Sequence, residues 1–452
     1  MFRANPSAID LDLLNTVIYR LKQLEKSGRR IRVGVIGVGA MGTGVALQVA
    51  RTPGMEVVFL SDLSKEALAR AVQATGLTAI PIELPSSLPR RGAGEVYVTH
   101  DTTGLLEADN GLEVDVVVEC TNTIAAAGRH CLAAIGRRAH VVLMNAEVDL
   151  ALGRLLAHEA ARQGVVVTSD AGDQHGVLAT MIDEIELWGF RIVQAGNMKG
   201  FLNLRASAAT AREWAEKQRL SVVQTVSYTD GTKMNIEQAL IGNYAGLTPV
   251  RPGMEGPRAS DVRDVLTSFD FASYGAQGRV DYTVGVPWPG GGVYVVAECT
   301  DPLQAFYLNY YKVSSQGNFH LFFRPYHLCH LETPRAIAQA FLDQRPVIPP
   351  ARHWINDVFA YAKKDLPAGT VIEHGIGGDE IYGLVNTIEA AGPDALPVCA
   401  LEGDPAATRG GKAVLRTAVK MDHPVPFSAV DIPETDLSRL RQQQASLPPH
   451  AH

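Results

Sequence analysis

Short runs of consecutive apolar residues alternate with amphipathic segments along the first 170 residues of the chain. Five of these runs are rich in β-branched side chains and predict strands that are buried on both faces: residues 31–36, 56–60, 114–119, 140–144 and 165–169. Helices are predicted between them, at residues 44–51, from Ser64 onward, at 129–135 and at 154–163. This alternation predicts an α/β fold with a doubly wound parallel sheet over residues 31–170.

The pattern changes after this first domain. Loops rich in Gly, Asn and Pro separate aromatic strands, which are predicted at residues 293–297 and 319–323. They indicate a mixed α+β domain over residues 171–345 that would carry the substrate. A helix predicted at residues 334–342 could pack back on the first domain.

A proline-rich break at residues 345–350 marks a second boundary. The short strands beyond it are punctuated by Gly and Pro and predict a small β-rich module over residues 346–440. At the ends of the chain, an amphipathic helix is predicted within residues 1–30, and residues 441–452 form a tail that is expected to fray from Gln442 onward.

Composition excludes several classes of protein. With 46% hydrophobic and 20% charged residues among 452, the chain has the composition of a folded globular protein rather than a disordered one. A net charge of -7 argues against a nucleic acid or a membrane surface as the main partner. The five cysteines are widely spaced without a CxxC pair, which is typical of a reducing compartment. No apolar run is long enough to span a membrane, and the N-terminal segment lacks the apolar core of a signal peptide, so we expect a cytoplasmic protein.

A glycine motif between the first predicted strand and helix indicates a dinucleotide site of Rossmann type. Its residues are Gly37, Gly39, Ala40, Met41 and Gly42, in the pattern GxGxxG. Glycines at these positions permit a tight turn and let backbone N–H groups approach a pyrophosphate at the start of the helix. The motif alone is a weak signal, but its place between a strand and a helix makes the signal strong.

An acidic residue is expected about 20 positions after the motif, where it binds the ribose of the cofactor. Asp62 follows the second predicted strand and fits this role. Because its charge would repel a 2′-phosphate, NAD is favoured over NADP. Lys65 and Arg70 lie close by in the sequence and keep NADP possible.

The next two strands end in polar residues that should border the nicotinamide, because ligands of open α/β sheets bind outside the carboxyl ends of the strands. These residues are Thr121, Asn122, Asn145 and Glu147. Both asparagines equally fit ordinary turns at strand ends. Glu147 is more informative, since a carboxylate beside the nicotinamide needs a partner.

Hydride transfer at a carbinol carbon needs a group that moves the hydroxyl proton and a group that polarises the oxygen. A polar loop at the end of the last parallel strand offers three candidates: Asp173, Gln174 and His175. The segment after the strand predicted at residues 192–195 offers Lys199 and Asn203. Lys199 could be a proton donor or bind an anion, unless it is a solvated loop lysine.

A third cluster surrounds the start of a predicted helix. Asp230 or Thr232 would cap this helix, and Lys233 and Glu237 lie four residues apart on one of its faces. That spacing fits either a catalytic pair or a surface salt bridge of little energetic value. The helix continues through Asn243 as a largely apolar segment, so one face should be buried, which favours a catalytic role for Lys233.

The fourth cluster contains Arg324, His327, Cys329, His330 and Glu332. Its HxxH pattern with an intervening cysteine raises the possibility of zinc, but no second pair of ligands with zinc spacing is present. Binding of an anion or of the substrate by Arg324 and His327 is therefore favoured, and a divalent metal stays an open question.

Eight segments together carry a family resemblance: GVIGVGAMGTG, VVVECTNT, VVLMNAEVD, SDAGDQHG, NMKGFLN, YTDGTKMNIEQA, RPYHLCHLETP and AKKDLPAGTVI. The chain resembles, from Ile31 to about Leu440, the group related to homoserine dehydrogenase that carries a C-terminal SAF domain. Its characterised type is the 1-deoxy-D-xylulose 5-phosphate reductoisomerase-like (DXR-like) enzyme. The resemblance implies an NAD(P)-binding domain, a central catalytic and dimerisation domain, a SAF module from near Asp357, and a homodimer. Asn145-Ala-Glu147 stands where homoserine dehydrogenases carry an Asn-Lys pair, so homoserine is not the expected substrate.

We therefore expect an NAD(P)-dependent oxidoreductase that acts on a small polyhydroxylated, phosphorylated, ketose-like substrate. Lys199, Lys233, Arg324 and His327 would supply the positive groups that hold a phosphate. One alternative, favoured by Asp62, is an NAD-dependent dehydrogenase of another polyol or hydroxy acid without rearrangement. Another is a non-enzymatic NAD-binding sensor or scaffold.

Overall fold

A computed structural model describes residues 16–83, 87–218, 220–288, 290–350, 353–401 and 412–448. The strands of the N-terminal part are β1 Ile31–Ile36, β2 Met55–Ser61, β3 Thr78–Pro81, β4 Glu95–Thr99, β5 Val116–Glu119, β6 His140–Leu143 and β7 Val167–Ser169. Its helices are α1 Val17–Lys26, α2 Ala40–Arg51, α3 Lys65–Thr75, α4 Thr102–Glu107, α5 Ala125–Gly136 and α6 Ala146–Gln163. The part of the predicted N-terminal helix before Thr16 lies outside the described residues.

The seven N-terminal strands form one parallel sheet in the order β3-β4-β2-β1-β5-β6-β7. The apolar residues of β1 and β5 are buried, as the continuous apolar runs predict for a sheet covered on both faces. The chain reverses direction across the sheet between β1 and β5, and this is the position where doubly wound sheets bind ligands. The predicted α/β class is confirmed.

Two strands and a helix of this sheet region were absent from the sequence prediction: β3, β4 and α4. β3 is a four-residue edge strand that is mostly exposed and ends at Pro81, so it carries no apolar signal. The predicted helices α2, α5 and α6 begin four to eight residues earlier than expected. The periodicity of apolar residues predicts the buried middle of a helix better than its first turn.

The second part of the chain is built on a mixed sheet. Its strands are β8 Arg191–Lys199, β9 Arg279–Val284, β10 Val293–Glu298, β11 Ser314–Gln316 and β12 Phe319–Arg324. Its helices are α7 Gln174–Leu187, α8 Ala208–Gln218, α9 Val222–Thr229, α10 Thr232–Ala245, α11 Val265–Ser268, α12 Pro302–Tyr310 and α13 Cys329–Ala338. The strand order is β11-β12-β10-β8-β9, with only β8 and β9 parallel. α13 packs against α2, so the predicted return of this helix to the first domain is confirmed.

The C-terminal part holds two small antiparallel sheets, β13-β15 and β14-β16-β17. Its elements are β13 Asn356–Ala362, β14 Val371–Ile372, β15 Ile381–Thr387, α14 Ile388–Ala391, β16 Ala413–Leu415, β17 Val430–Asp431 and α15 Asp436–Ala445. The expectation of a frayed tail from Gln442 is wrong for the described residues, because α15 runs through Ala445. Gln444 is buried and bonds to the backbone of α6 at Ala151 and Leu155.

Helix α10 lies at the meeting point of all three parts. It packs against α6 and α7 on one side and against β13 and β15 on the other. Every residue from Thr232 to Tyr244 is buried, whereas the sequence predicted a single buried face. The polar residues of α10 therefore lie in the protein interior. No helix in the described part of the chain combines the length and the apolar character that a membrane crossing needs.

Candidate active site

The glycine loop between β1 and α2 has the geometry of a dinucleotide cradle. Gly37 has a φ of +79°, and a Cβ there would lie 2.7 Å from the backbone nitrogen of Thr121. A Cβ on Gly42 would lie 1.9 Å from the carbonyl oxygen of Gly37, so only glycine allows the helix to pack this closely. Gly39, at the N-cap of α2, faces open space instead, with no heavy atom within 4 Å of a Cβ.

The open space at Gly39 fits a pyrophosphate. The first intrahelical bond of α2 runs from Thr43 N to Gly39 O, which leaves the N–H groups of Ala40, Met41 and Gly42 without partners inside the helix. Such N–H groups, with the positive end of the helix dipole, bind phosphate oxygens. These residues would hold the cofactor, and its nicotinamide would supply or accept the hydride.

Asp62 lies beside this loop, directly after β2. Its carboxylate accepts hydrogen bonds from Val38 N and Ser64 N, both at 2.8 Å. It therefore ties the glycine loop to the start of α3, at the place where the sequence predicts contact with the ribose. The ring of His100, which follows β4, lies 2.8 Å from the carbonyl oxygen of Asp62. The sequence gave no signal for this histidine, because β4 itself was not predicted.

Of the four strand-end residues, Asn145 has a structural role. Its side chain accepts a hydrogen bond from Val148 N at 3.1 Å and donates to Thr123 O at 2.7 Å, which makes it the N-cap of α6. The turn interpretation therefore fits Asn145 better than contact with the nicotinamide. Thr121 donates its N–H to Glu119, and Asn122 is exposed beside it.

A buried ion pair joins the second part of the chain to the first. Lys233 Nζ, at the start of α10, lies 3.1 and 3.3 Å from the two carboxylate oxygens of Glu147 on α6. Both side chains are about nine-tenths buried. Of the two alternatives for Lys233 and Glu237, the surface salt bridge is excluded, since every residue from Thr232 to Tyr244 is buried. Burial acts to lower the pKa of Lys233, but Glu147 and the neighbouring acidic groups outweigh it and hold the pKa well above its ordinary value.

Lys199 lies close to Lys233 but behaves differently. It is the last residue of β8, not part of a loop after a shorter strand as the sequence predicted. Its ammonium group makes no hydrogen bond or ion pair with any residue that the structure describes. Burial lowers the pKa of Lys199, although Glu237 and Asp173 act in the opposite direction. The pKa of Glu237 is raised to about 7 by burial and by the charge of Asp173.

The predicted loop at Asp173 is short, because α7 begins at Gln174. Asp173 takes the N-cap position, and its carboxylate accepts a hydrogen bond from the thiol of Cys329 at 3.1 Å. Burial acts to raise the pKa of Asp173, but the positive charge of Lys233, with His175, outweighs it and the pKa is lowered. His175 is buried, and neither ring nitrogen has a hydrogen-bond partner in the part of the chain that the structure describes; burial lowers its pKa to about 4.

The HxxH pattern is not a chelating pair. His330 packs against α2, where a Cβ on Gly44 would lie 2.6 Å from its ring. His327 turns toward Asp173, with Nδ1 3.3 Å from the carbonyl oxygen of Gly172. Arg324 forms an ion pair with Glu332 at 2.6 Å, so its charge is already balanced, contrary to its predicted role as an anion-binding group.

Three predicted site residues have their hydrogen-bond or ion-pair partners outside the cluster around Lys199 and Lys233. Asp230 forms a buried ion pair with Lys363 at 2.8 Å, and its other oxygen accepts a hydrogen bond from Thr232 N. Asn243 bonds to the backbone at residues 355–356, and Asn203 accepts a hydrogen bond from Arg205 N. These bonds hold α10 and the C-terminal part together and stabilise a turn. We therefore leave all three out of the proposed chemistry.

Tyr228 is a site residue that the sequence interpretation did not select, and Cys329 was noted there only as part of a possible zinc pattern. Lys233 Nζ lies over the Tyr228 ring, 5.9 Å from its centroid. Cys329 Sγ lies near both Asp173 and His327. Tyr228 opens the segment YTDGTK that also contains Lys233, which was the signal available for it.

Comparisons with known families divide the chain in the same way. A family model described as the NAD-binding domain of homoserine dehydrogenase matches residues 37–169, and one described as the catalytic domain of oxidoreductase DRL matches residues 172–333. No curated protein matches the chain. Together with the cradle, the two families identify the chain as an NAD(P)-dependent oxidoreductase, which sets aside the alternative of a non-enzymatic sensor.

Solved structures with a similar fold are distant. A probable dehydrogenase from Thermotoga maritima is 15% identical, with a TM-score of 0.40 over 70% of this chain and 90% of that one. A myo-inositol dehydrogenase from Corynebacterium glutamicum is 11% identical, with a TM-score of 0.37 over 59% and 72%. Biliverdin reductase from Synechocystis sp. PCC 6803 is 18% identical, with a TM-score of 0.28 over 39% of this chain, which spans about half (49%) of the reductase. This similarity does not identify a substrate.

The cradle predicts a specific effect of Gly39→Ala. Because its Cβ meets no protein atom, the melting temperature should stay unchanged. The same Cβ would occupy the space of the pyrophosphate, so the dissociation constant for NAD(P)H should rise about tenfold or more, or about 1.4 kcal/mol. Fluorescence titration measures this constant. Gly136→Ala, at the end of α5 with equally free surroundings, is the matched control and should leave binding unchanged. Equal binding by both variants would contradict the assignment of the loop.

Proposed function

We propose that the enzyme moves hydride between NAD(P) and the carbonyl or carbinol carbon of a small polyhydroxylated, phosphorylated, ketose-like substrate. The observation that carries the proposal is the different setting of two neighbouring lysines. Lys233 is buried in an ion pair with Glu147, whereas Lys199, half-buried at the end of β8, has no bonded anion among the described residues. They lie in one cluster with Asp173 and Glu237, beside residues that follow the carboxyl ends of the Rossmann strands. The resemblance to the DXR-like group supports the substrate class.

The two lysines have different roles in this proposal. Lys233 keeps its charge through its bond to Glu147 and acts as a fixed cation toward a phosphate or a developing oxyanion. Lys199 has no bonded anionic partner among the described residues and a lowered pKa, which suits a group that gives and takes protons. When a ketone is reduced, Lys199 gives a proton to the carbonyl oxygen, and in the reverse direction the neutral amine takes the hydroxyl proton.

The substrate class is tested with phosphorylated and unphosphorylated partners. We expect NAD(P)H oxidation with 1-deoxy-D-xylulose 5-phosphate in the presence of a divalent cation. Unphosphorylated 1-deoxy-D-xylulose should have a kcat/KM at least about 100-fold lower, about 2.7 kcal/mol, for loss of the charge-assisted bonds. Comparison of NADH with NADPH tests the preference for NAD that Asp62 indicates. Equal turnover of unphosphorylated polyols or hydroxy acids with NAD would favour a simple dehydrogenase instead.

Replacement of Lys199 tests the proton-transfer role. Lys199→Met should lower kcat by about 10²–10⁴, the usual contribution of a general acid or base, without weakening cofactor binding. In the reductive direction the wild-type rate should fall as pH rises through the pKa of Lys199, below 10.5, because the ammonium form is the donor. In the oxidative direction the rate should rise over the same range, and the variant should lose both limbs. Lys217→Met, on the exposed side of α8, is the control, and an equal effect of both substitutions would refute the role.

We also propose that the enzyme is a homodimer. Helix α12 has no buried residue and exposes Leu303, Phe306, Tyr307 and Tyr310, an unusual apolar surface for a monomer. Light scattering after gel filtration should give twice the chain mass of 48.6 kDa. Asp in place of both Phe306 and Tyr310 should yield monomers. Met421→Asp, at an exposed apolar residue of the C-terminal part, should leave the mass unchanged, and a monomeric wild type would contradict the proposal.

A further inference from the structure

We propose that Asp173, His327 and Cys329 form a binding site for zinc or a closely similar dication. The three residues come from two places in the chain, the N-cap of α7 and the segment that leads into α13. Their donor atoms all lie within 4.8 Å of one another. Asp173 is buried, and His327 and Cys329 are half-buried.

The distances fit a tetrahedral ion. Cys329 Sγ lies 3.1 Å from Asp173 Oδ1 and 3.5 Å from His327 Nδ1. Zinc bonds of about 2.0–2.3 Å in a tetrahedron place their donors about 3.3–3.8 Å apart, so small movements would admit the ion. A donor set of one carboxylate, one imidazole and one thiolate favours zinc over magnesium or calcium, which prefer oxygen ligands.

His175 gives an independent indication that a ligand belongs at this place. Its side chain is 1% exposed, and neither ring nitrogen has a hydrogen-bond partner among the described residues. It lies two residues after Asp173 and interacts electrostatically with both Asp173 and His327, which places it near two of the three donors. Buried polar atoms without partners cost about 1–3 kcal/mol each, which a bound metal with its oxygen ligand would offset. We assign His175 to contact with that oxygen.

The surrounding charges can accommodate a dication. The two nearby cations are Lys233, which is bonded to Glu147, and Lys199, which faces Glu237. Asp170 adds a further buried acidic group next to Asp173. Binding would replace the thiol proton of Cys329, which leaves to solvent, so affinity should increase with pH.

The place of the site suggests what the ion would do. The residue after Cys329 packs on α2, the helix that begins at the glycine loop, so the ion would lie between the cofactor and the two lysines. With three protein ligands, one position stays open for an oxygen atom of the substrate, as in catalytic rather than structural zinc sites. This role in polarising a carbonyl rests on the proposed function, whereas metal binding itself does not.

Metal binding is tested on the full-length protein without turnover. After dialysis against a chelator, zinc is titrated in competition with a chromophoric chelator, and cobalt(II) is added to a second sample. We expect one zinc per chain and, with cobalt, a thiolate-to-metal charge-transfer band. Cys329→Ser should abolish the band and weaken zinc binding by about 100-fold or more, above the usual effect of residues that only support a ligand. His330→Gln, in the same segment but facing α2, should keep both.

A second variant covers the case in which Cys329→Ser does not fold. Asp173→Asn keeps the size of the side chain and should also weaken zinc binding by about 100-fold, with NAD(P)H binding intact. Absence of stoichiometric zinc, a cobalt spectrum without a thiolate band, or unchanged affinity in these variants would show that the three residues form only a hydrogen-bonded cluster. Turnover of the substrate by the metal-free protein would contradict the catalytic role of the metal. It would not contradict the proposed function.

Discussion

The ion pair between Lys233 and Glu147 joins the helix that carries the catalytic cluster to the domain that carries the cofactor cradle. Removal of water from both charges is costly, and the attraction between them compensates for this cost only because the two groups are held at bonding distance. Loss of one partner from such a pair typically costs about 3–5 kcal/mol. A second buried pair, Asp230 with Lys363, fastens the start of the same helix to the C-terminal part. Helix α10 is thus fixed from both sides, which gives its side chains a defined position relative to the nicotinamide.

That rigid frame explains why two neighbouring lysines differ. Lys233 meets a carboxylate at 3.1 Å, and its charge is retained, whereas Lys199 is half-buried at the end of β8 without such a bond to any described residue. The cost of burial then falls on the charged form of Lys199 and lowers its pKa. Burial also disfavours the charged form of Glu237, and because this form is the deprotonated one, the pKa of Glu237 is raised, to about 7. Position within the cluster, more than residue type, therefore underlies the different roles that we propose for the two lysines.

The sequence was sufficient for five of the seven strands of the Rossmann sheet and for the cofactor loop, because these depend on local patterns. Continuous apolar runs predicted strands that are buried on both faces. The spacing of Gly37, Gly39 and Gly42 predicted a turn that only glycine permits. The candidate residues Asp173, Lys199, Lys233 and Glu237 were also found, since polar residues after apolar strands are conspicuous.

Their partners could not be predicted. Lys233 lies 86 residues from Glu147, so this contact depends on the docking of the second part of the chain on the first. Asp173 lies 156 residues from Cys329, and their contact depends on the folding of the second part as a whole. The same holds for Asn243 and Asp230, whose bonds to the C-terminal part exist only once α10 is enclosed. The mixture of polar and apolar residues in α10 predicted one buried face, and only its surroundings show that every residue from Thr232 to Tyr244 is buried.

A crystal structure of the complex with NAD(P) and an unreactive substrate analogue would test the central claim, that Lys199 is the proton-transfer group of this site. We predict that Lys199 Nζ lies about 2.6–3.2 Å from the oxygen on the reacting carbon, the distance that proton transfer requires. Lys233 should keep its bond to Glu147 and contact the phosphate or the oxyanion position. A complex in which Lys199 points away from that oxygen, with Lys233 or Tyr228 at bonding distance, would contradict the claim.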